Sequence, residues 1–448
     1  MNDLASQAGT ATQAIKTPRR VSINSRRNVQ LWSLILAIAA SSWAGWVVLF
    51  GFLPIYAVFL VPALIAAIFS GLKFVSKDEF TSNLIYLSFT ALTFPGVFSA
   101  EDQGRALVGS LGWIANFALM FAAASAVRSV KDWQLMFCTF IFFQAVSLAF
   151  AIPQFFWGIL FISPAAYESQ VAGLEGMSYS FGKNYLPLVS LGLCTAFQRS
   201  VFQSGARRPV FRQMARMGLI VSLVAISISE SRSTQVAVVL GSVVMVCRAG
   251  LLSAVPLRAL FFGGCFLVLG LYLGAEKWSK VGSEQGIRGD GSFEYRLNSW
   301  EAGYRMGLDH WAVGVGMGNY RYHAADYLSE SISGLQAAGL INAEGEIAVE
   351  VHNVFIGIAA MAGIPAFIIF LWFYLRIVRR TWRISNDMSL SIEVRSIAVT
   401  TSVYLIMYIV NLNMHNLFND NVPWFFIGAF WGIHRSTRPS VGQRSYAS

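Results

Sequence analysis

Apolar stretches of about membrane-span length recur along this chain from residue 31 to residue 433. Chain that enters hydrocarbon has few structural choices, because no water is there to satisfy backbone N–H and C=O groups and each segment must close its own hydrogen bonds as a helix. A bilayer core about 30 Å thick takes about 20 residues at a rise of 1.5 Å each. On that measure the sequence predicts an all-α integral membrane protein with about twelve transmembrane helices. They fall at residues 31–48, 52–72, 82–99, 106–127, 133–156, 185–196, 217–228, 234–247, 259–273, 353–375, 397–413 and 422–433. The composition agrees. Charged residues make up 12% of the chain, about half the share of an ordinary soluble domain, and the mean hydropathy is +0.55.

Charge gives the threading a direction. Lys and Arg concentrate in short cytoplasmic loops, and the alternation imposed by twelve spans leaves only nine of the 33 on the other side. These are Arg105, Lys183, Arg232, Lys277, Lys280, Arg288, Arg296, Arg305 and Arg321. Both termini are therefore expected in the cytoplasm, as tails over residues 1–30 and 435–448. Helices one to nine occupy 31–274, one large periplasmic loop with short helices occupies 275–351, and helices ten to twelve occupy 352–434. The same bias accounts for the net charge of +10 without nucleic acid as a partner. The first apolar run follows a basic tail as a signal peptide would, but it is long, is followed at once by another hydrophobic segment and is read as a retained span. The four cysteines stand singly in or beside apolar stretches, with no metal or redox spacing.

The nine outlying cations are where chemistry is sought. For Lys277, Lys280 and Arg288 the ordinary reading is a solvated loop charge paired with a nearby acid. Arg232 differs, because Ser229-Glu230-Ser231-Arg232-Ser233-Thr234 joins two apolar runs with no room for a loop. An ionisable group at that depth is costly and defaults to a functional reading, and a guanidinium fork matches phosphate oxygens. Arg296 and Trp300 stand at i, i+4 and share a helix face. The Gly314-Val315-Gly316-Met317-Gly318-Asn319 run looks at first like a phosphate cradle. It follows no strand pattern, however, and lies outside the cell, so a nucleotide fingerprint is set aside. His352-Asn353 opens the tenth span, where a neutral imidazole can act as general base near neutral pH. His415 and Asp420 form a smaller polar cluster on the same side, and Arg305 is a further candidate. No metal site is expected: His323 and Asp326 form the one ligand-like helical pair, and neither HExxH nor DxD occurs.

Taken together, Ser231-Arg232-Ser233, then Arg296 with Trp300 and the GxGxGN run, then His352-Asn353 resemble the O-antigen ligase and O-antigen polymerase superfamily of bacterial inner-membrane glycosyltransferases. The likeness extends to the span number and the late periplasmic loop. It departs at Gly182-Lys183-Asn184, where the family often has proline before the asparagine. The resemblance implies metal-independent, inverting transfer of an undecaprenyl-diphosphate-linked oligosaccharide, without a cofactor, onto an acceptor glycan or lipid A core at the periplasmic face of the inner membrane. Arg232 and Arg296 would hold the diphosphate, and His352 would take the acceptor's proton. Trp300, Arg305, Asn353, Asp420 and His415 would serve substrate binding, with membrane lipids as the remaining partners.

The shared motifs do not separate a polymerase from a ligase. Arg296 with Gly307 and Arg305 with Gly316 each show an R-x10-G spacing, which resembles a motif of some polymerases and tips the reading that way. The alternative of another class is a twelve-helix transporter or flippase of lipid-linked glycans, which would place its charges near the middle of spans.

Overall fold

The computed structural model describes residues 29–37, 48–49, 53–54, 61–65, 77–157, 184–197, 208–229, 231–248, 291–328, 351–414 and 420–437. A two-residue antiparallel pair, β1 (Val48–Leu49) and β2 (Leu53–Pro54), overlaps the end of the first expected span (31–48) and the start of the second (52–72), where helix was expected. Beyond it, regular structure among the described residues is helical. The elements are α1 (Lys77–Leu92), α2 (Pro95–Ser99), α3 (Gln103–Ala126), α4 (Val130–Trp157), α5 (Leu186–Phe197) and α6 (Arg208–Ile228). They continue as α7 (Arg232–Arg248), α8 (Gly291–Asp309), α9 (Tyr320–Tyr327), α10 (Val354–Ser385), α11 (Ile392–Met414) and α12 (Val422–Thr437).

Five of these helices, α3, α4, α6, α10 and α11, are long and apolar enough to cross a membrane, and α5 and α7 are shorter apolar helices. The protein is a multi-pass α-helical membrane protein. The span expected at 259–273, and much of the first two, lie outside the described residues.

Three expected spans differ in detail, and the one at 217–228 begins nine residues earlier, as α6 from Arg208. The one at 82–99 is broken: α1 stops at Leu92 and α2 starts at Pro95. Proline has no N–H to continue the ladder, and at the break the Thr93 carbonyl accepts from Ser110 Oγ at 3.0 Å. The one at 353–375 runs ten residues further as α10, to Ser385. Hydropathy falls at Arg376, but arginine is a good helix former and nothing breaks the helix before Asn386. At 32 residues α10 is about 48 Å long, well over the hydrocarbon thickness. It is also two helices joined at Gly363, whose φ of 88° and ψ of 164° are not helical.

Aromatic packing ties α1, α3, α10 and α12 together. Tyr86 lies 4.9 Å from Phe373 and 5.1 Å from Trp424 between ring centroids, Phe89 lies 4.8 Å from Trp113, and the Tyr86 hydroxyl donates to the Trp113 carbonyl. The α3–α12 seam rests on small residues. A Cβ on Gly428 would stand 2.1 Å from the Met120 carbonyl oxygen, and one on Gly432 2.1 Å from that of Val127. This glycine pair, four residues apart, lets two backbones touch, the usual way of joining helices where lipid is as apolar as leucine. Outward, Val108, Phe142, Ile220, Ile368 and Trp372 are each more than half exposed, as a lipid-facing surface requires.

The bundle has two unlike ends. At one, the Glu79 carboxylate, 1% exposed, lies 3.5 Å from Arg435 Nε and 3.9 Å from Arg380, which ties the starts of α1 to the ends of α10 and α12. At the other end are α2, the start of α3, the glycine run and the start of α10.

Candidate functional site

One stripe of α8 builds this second end. Arg296, Trp300, Gly303 and Gly307 recur at helical spacing and so share a face. A Cβ on Gly303 would meet Ile356 at 2.8 Å and Val351 at 3.2 Å, while one on Gly307 would meet the Ala359 backbone at 3.3 Å. The contact advances along both helices together, so α8 runs alongside α10 in the same direction. Two glycines thus bring α8 close and deliver Arg296 to the chain just before α10.

His352 stands there. Asn353 is the N-cap of α10, its side chain accepting from the N–H of Phe355 at 3.0 Å and of Ile356 at 3.1 Å. That satisfies two of the donors a helix start leaves open and makes Asn353 a builder of the site. His352 precedes the cap with φ of 51°, a left-handed conformation that costs a β-carbon residue of order 1 kcal/mol and clusters at functional sites. Burial, and then the nearby Arg296 charge, pull its imidazole from the ordinary 6.5 down to about 4. At neutral pH the ring is therefore uncharged. The interaction is between the two loop residues singled out in the sequence, and the fold brings them together across 56 positions of chain.

The other expected residues fall in different settings. Trp300 buries its indole N–H, which has no hydrogen-bond partner among the described residues. Arg305 pairs with Glu301 one turn back, both about half exposed, a surface pair that contributes about 1 kcal/mol or less. Asp420 is 8% exposed and is occupied structurally: it accepts from the Tyr408 hydroxyl at 2.5 Å and from the Val422 N–H at 3.2 Å, where α12 begins. His415 lies outside the described residues. Arg232 is the first residue of α7, and its side chain lies outside the described residues.

The turn that sets Arg232 in place is described. Ser231 Oγ lies 2.9 Å from Thr234 Oγ1 and 3.2 Å from Ser233 Oγ, and Thr234 Oγ1 donates to Asn411 Oδ1 at 3.3 Å. Asn411, fully buried on α11, was not singled out in the sequence. A polar residue near the end of an apolar run was its one available signal. The start of α7 is thereby anchored to the last turn of α11.

The glycine run is a wedge between helices. Gly314, Gly316 and Gly318 have φ of 69°, 93° and 79°. Val315 N–H donates to the Ala360 carbonyl at 3.0 Å and Gly316 N–H to that of Met361 at 2.9 Å, while Ile364 N–H donates to the Trp311 carbonyl at 2.8 Å. The run therefore docks on the opened backbone of α10 at Gly363. On its other side a Cβ on Gly316 would strike Ala100 and the Gly96 carbonyl within 2.8 Å. The backbone N–H groups of Val315 and Gly316 are spent on α10, so they do not cradle a ligand.

The wedge ends in a lock the sequence did not reveal. Asp102 N–H donates to Asn319 Oδ1 at 2.8 Å, and Asn319 Nδ2 donates to the Asp102 carbonyl at 3.0 Å. The Asp102 carboxylate caps α3 by accepting from Arg105 N–H at 2.8 Å and also accepts from the Tyr322 hydroxyl at 3.1 Å. The Arg105 amide, with help from Tyr322, holds that carboxyl below its ordinary value. An Asp just before an apolar run is a readable N-cap signal; its partner at 319 is not.

Among known families, the model described as O-antigen ligase matches residues 217–371. That segment runs from α6 into α10 and holds Arg232, Arg296, Trp300, the glycine run and His352-Asn353. Among curated proteins none matches the chain.

Proposed function

We propose that this chain is a membrane glycosyltransferase that moves an undecaprenyl-diphosphate-linked glycan onto an acceptor sugar hydroxyl, a reading supported by the match of residues 217–371 to the O-antigen ligase family. The transfer takes place at the periplasmic face of the inner membrane. The observation that carries the reading is the coupling of Arg296 to a half-buried, neutral His352.

In the transfer the acceptor oxygen attacks the anomeric carbon from the face opposite the diphosphate, inverting it. The acceptor O–H proton passes to His352, and the bond from the anomeric carbon to the phosphate oxygen breaks with its electron pair leaving on the diphosphate. Arg232 and Arg296 hold that group and stabilise the charge it gains. Arg232 opens α7, where the helix dipole adds further positive potential for an anion. The two roles are linked. An imidazole with a pKa of about 4 is a weak base, but a diphosphate on Arg296 cancels the nearby charge, which after burial is the second cause that depresses it. Donor binding thus raises the proton affinity of His352 toward the range a general base needs. The chemistry uses these side chains without a metal ion.

Between the two acceptors we favour another lipid-linked repeat, hence a polymerase, over lipid A core, on the R-x10-G spacings that start at Arg296 and Arg305. Complementation of a null strain tests the site, and the glycan of the deletion strain tests the acceptor. Arg296→Ala and His352→Ala proteins that reach the membrane in normal amount should make no polymer; full-length polymer from them overturns the assignment. Single repeats on core in the deletion strain are expected of a polymerase. Full chains retained on the lipid carrier above bare core would make the protein a ligase.

A further inference from the structure

The bundle end opposite His352 carries a charged feature that glycosyl transfer does not use. Trp372, Leu375, Arg376, Arg379, Arg380 and Arg383 line a cleft of about 210 Å3 along one face of α10. The intervening Ile377 and Thr381 are 1% and 0% exposed, so the four guanidinium groups all leave the helix on the same side. The stripe covers about 16 Å at 1.5 Å per residue and is graded along its length. Its inner part is apolar and lipid-facing, Trp372 being 54% and Leu375 51% exposed. Its outer part is cationic.

The cations are not balanced locally. Arg376 Nε donates to Ser82 Oγ at 3.2 Å, and Arg380 shares the buried Glu79 with Arg435. Arg379 and Arg383 are exposed, and neither is paired with a carboxylate among the described residues. The positive-inside tendency asks only that cations lie on this side of the membrane. It does not ask that four converge on one cleft directly beyond an exposed tryptophan. Guanidinium forks are suited to phosphate oxygens, a tryptophan sits well at the level of lipid headgroups, and basic pockets at a membrane surface hold anionic headgroups.

We propose that this cleft binds an anionic glycerophospholipid of the surrounding leaflet, with its headgroup phosphate on Arg379 and Arg383 and an acyl chain along Leu375 and Trp372. A free phosphate would use only the outer half. The order of the residues, apolar inside and cationic outside, is that of the lipid itself.

Native mass spectrometry of the full-length protein, titrated with phosphatidylglycerol and with phosphatidylcholine of the same chains, reads the site. Phosphatidylglycerol should be retained at least fivefold better. The doubly substituted Arg379→Gln, Arg383→Gln protein should lose about 25-fold of that retention, about fivefold per guanidinium. Both positions are exposed, and single Arg379→Lys and Arg383→Lys proteins, which keep the charge, should lose less than the corresponding glutamines. Trp372→Ala should weaken phosphatidylglycerol binding, and equimolar inorganic pyrophosphate should fail to displace the lipid. Equal retention of the two lipids, or no loss in the glutamine variants, overturns the site. Displacement by pyrophosphate together with no effect of Trp372→Ala would make it an anion site and overturn the lipid.

Discussion

Asn319 and Asp102, 217 residues apart in the chain, bind each other through both halves of one side-chain amide, at 2.8 and 3.0 Å. Asn319 is fully buried, and through it the end of the glycine wedge is fastened to the start of α3. Removing the amide leaves the Asp102 N–H and carbonyl facing a gap, the costly way to lose a hydrogen bond. Asn319→Ala should lower stability by about 2 kcal/mol, read as an earlier thermal transition of the detergent-purified protein. Asn319→Asp, which turns the donor into an acceptor facing a carbonyl, should not restore it.

The glycines of the wedge should rank by what a Cβ meets. On Gly314 it would lie 2.3 Å from the Met361 main chain, whereas on Gly318 the closest atom is Arg105 Cγ at 2.9 Å, part of a flexible side chain. Both substitutions share the cost of a positive φ, but only the second has a neighbour that can move aside. Gly314→Ala should therefore cost about 3 kcal/mol or more and reduce the yield of folded protein, with Gly318→Ala costing about half as much. Equal transition temperatures would contradict the wedge.

Acidity should loosen the site in a defined window. The folded state holds His352 near 4, below its ordinary 6.5, so between those values the unfolded chain binds more protons and stability falls as pH falls. The contribution is fully present above about pH 6.5, diminishes toward pH 4 and amounts to at most about 3 kcal/mol. His352→Gln should flatten that limb of the thermal transition plotted against pH. Arg296→Gln should only shrink it, because burial, the larger cause, remains.

On the role proposed for Arg232, the fork should matter more than the charge. Arg232→Lys should retain a few per cent of polymer-forming activity and Arg232→Ala much less, measured at matched membrane levels. Full activity in the lysine protein would reduce Arg232 to an orientation charge.

How much of this was readable from residues alone varies with the range of the physics. The shared face of Arg296 and Trp300 follows from helical period, and the start of α10 from Asn353, a cap residue before an apolar run. The end of α10 was misplaced by ten residues because hydropathy records where lipid ends, not where a helix does. The break after Leu92 was legible in Pro95, yet an apolar window averages over one proline. Asn411 beneath the start of α7 had only its place as a polar residue near the end of an apolar run to mark it, and the pairing of Asn319 with Asp102 carried no local signal.

The sequence by itself determined that the chain is helical and spans a membrane, because lipid leaves backbone hydrogen bonds one solution, and it named the loop residues that carry charge where charge is scarce. Only the tertiary structure decided that Arg296 stands beside His352 and that the imidazole is held below its ordinary pKa, since that depends first on burial and then on a charge 56 residues away. It likewise decided that the glycine run joins helices, because the N–H groups of Val315 and Gly316 find their acceptors on α10 and that of Gly314 finds His310.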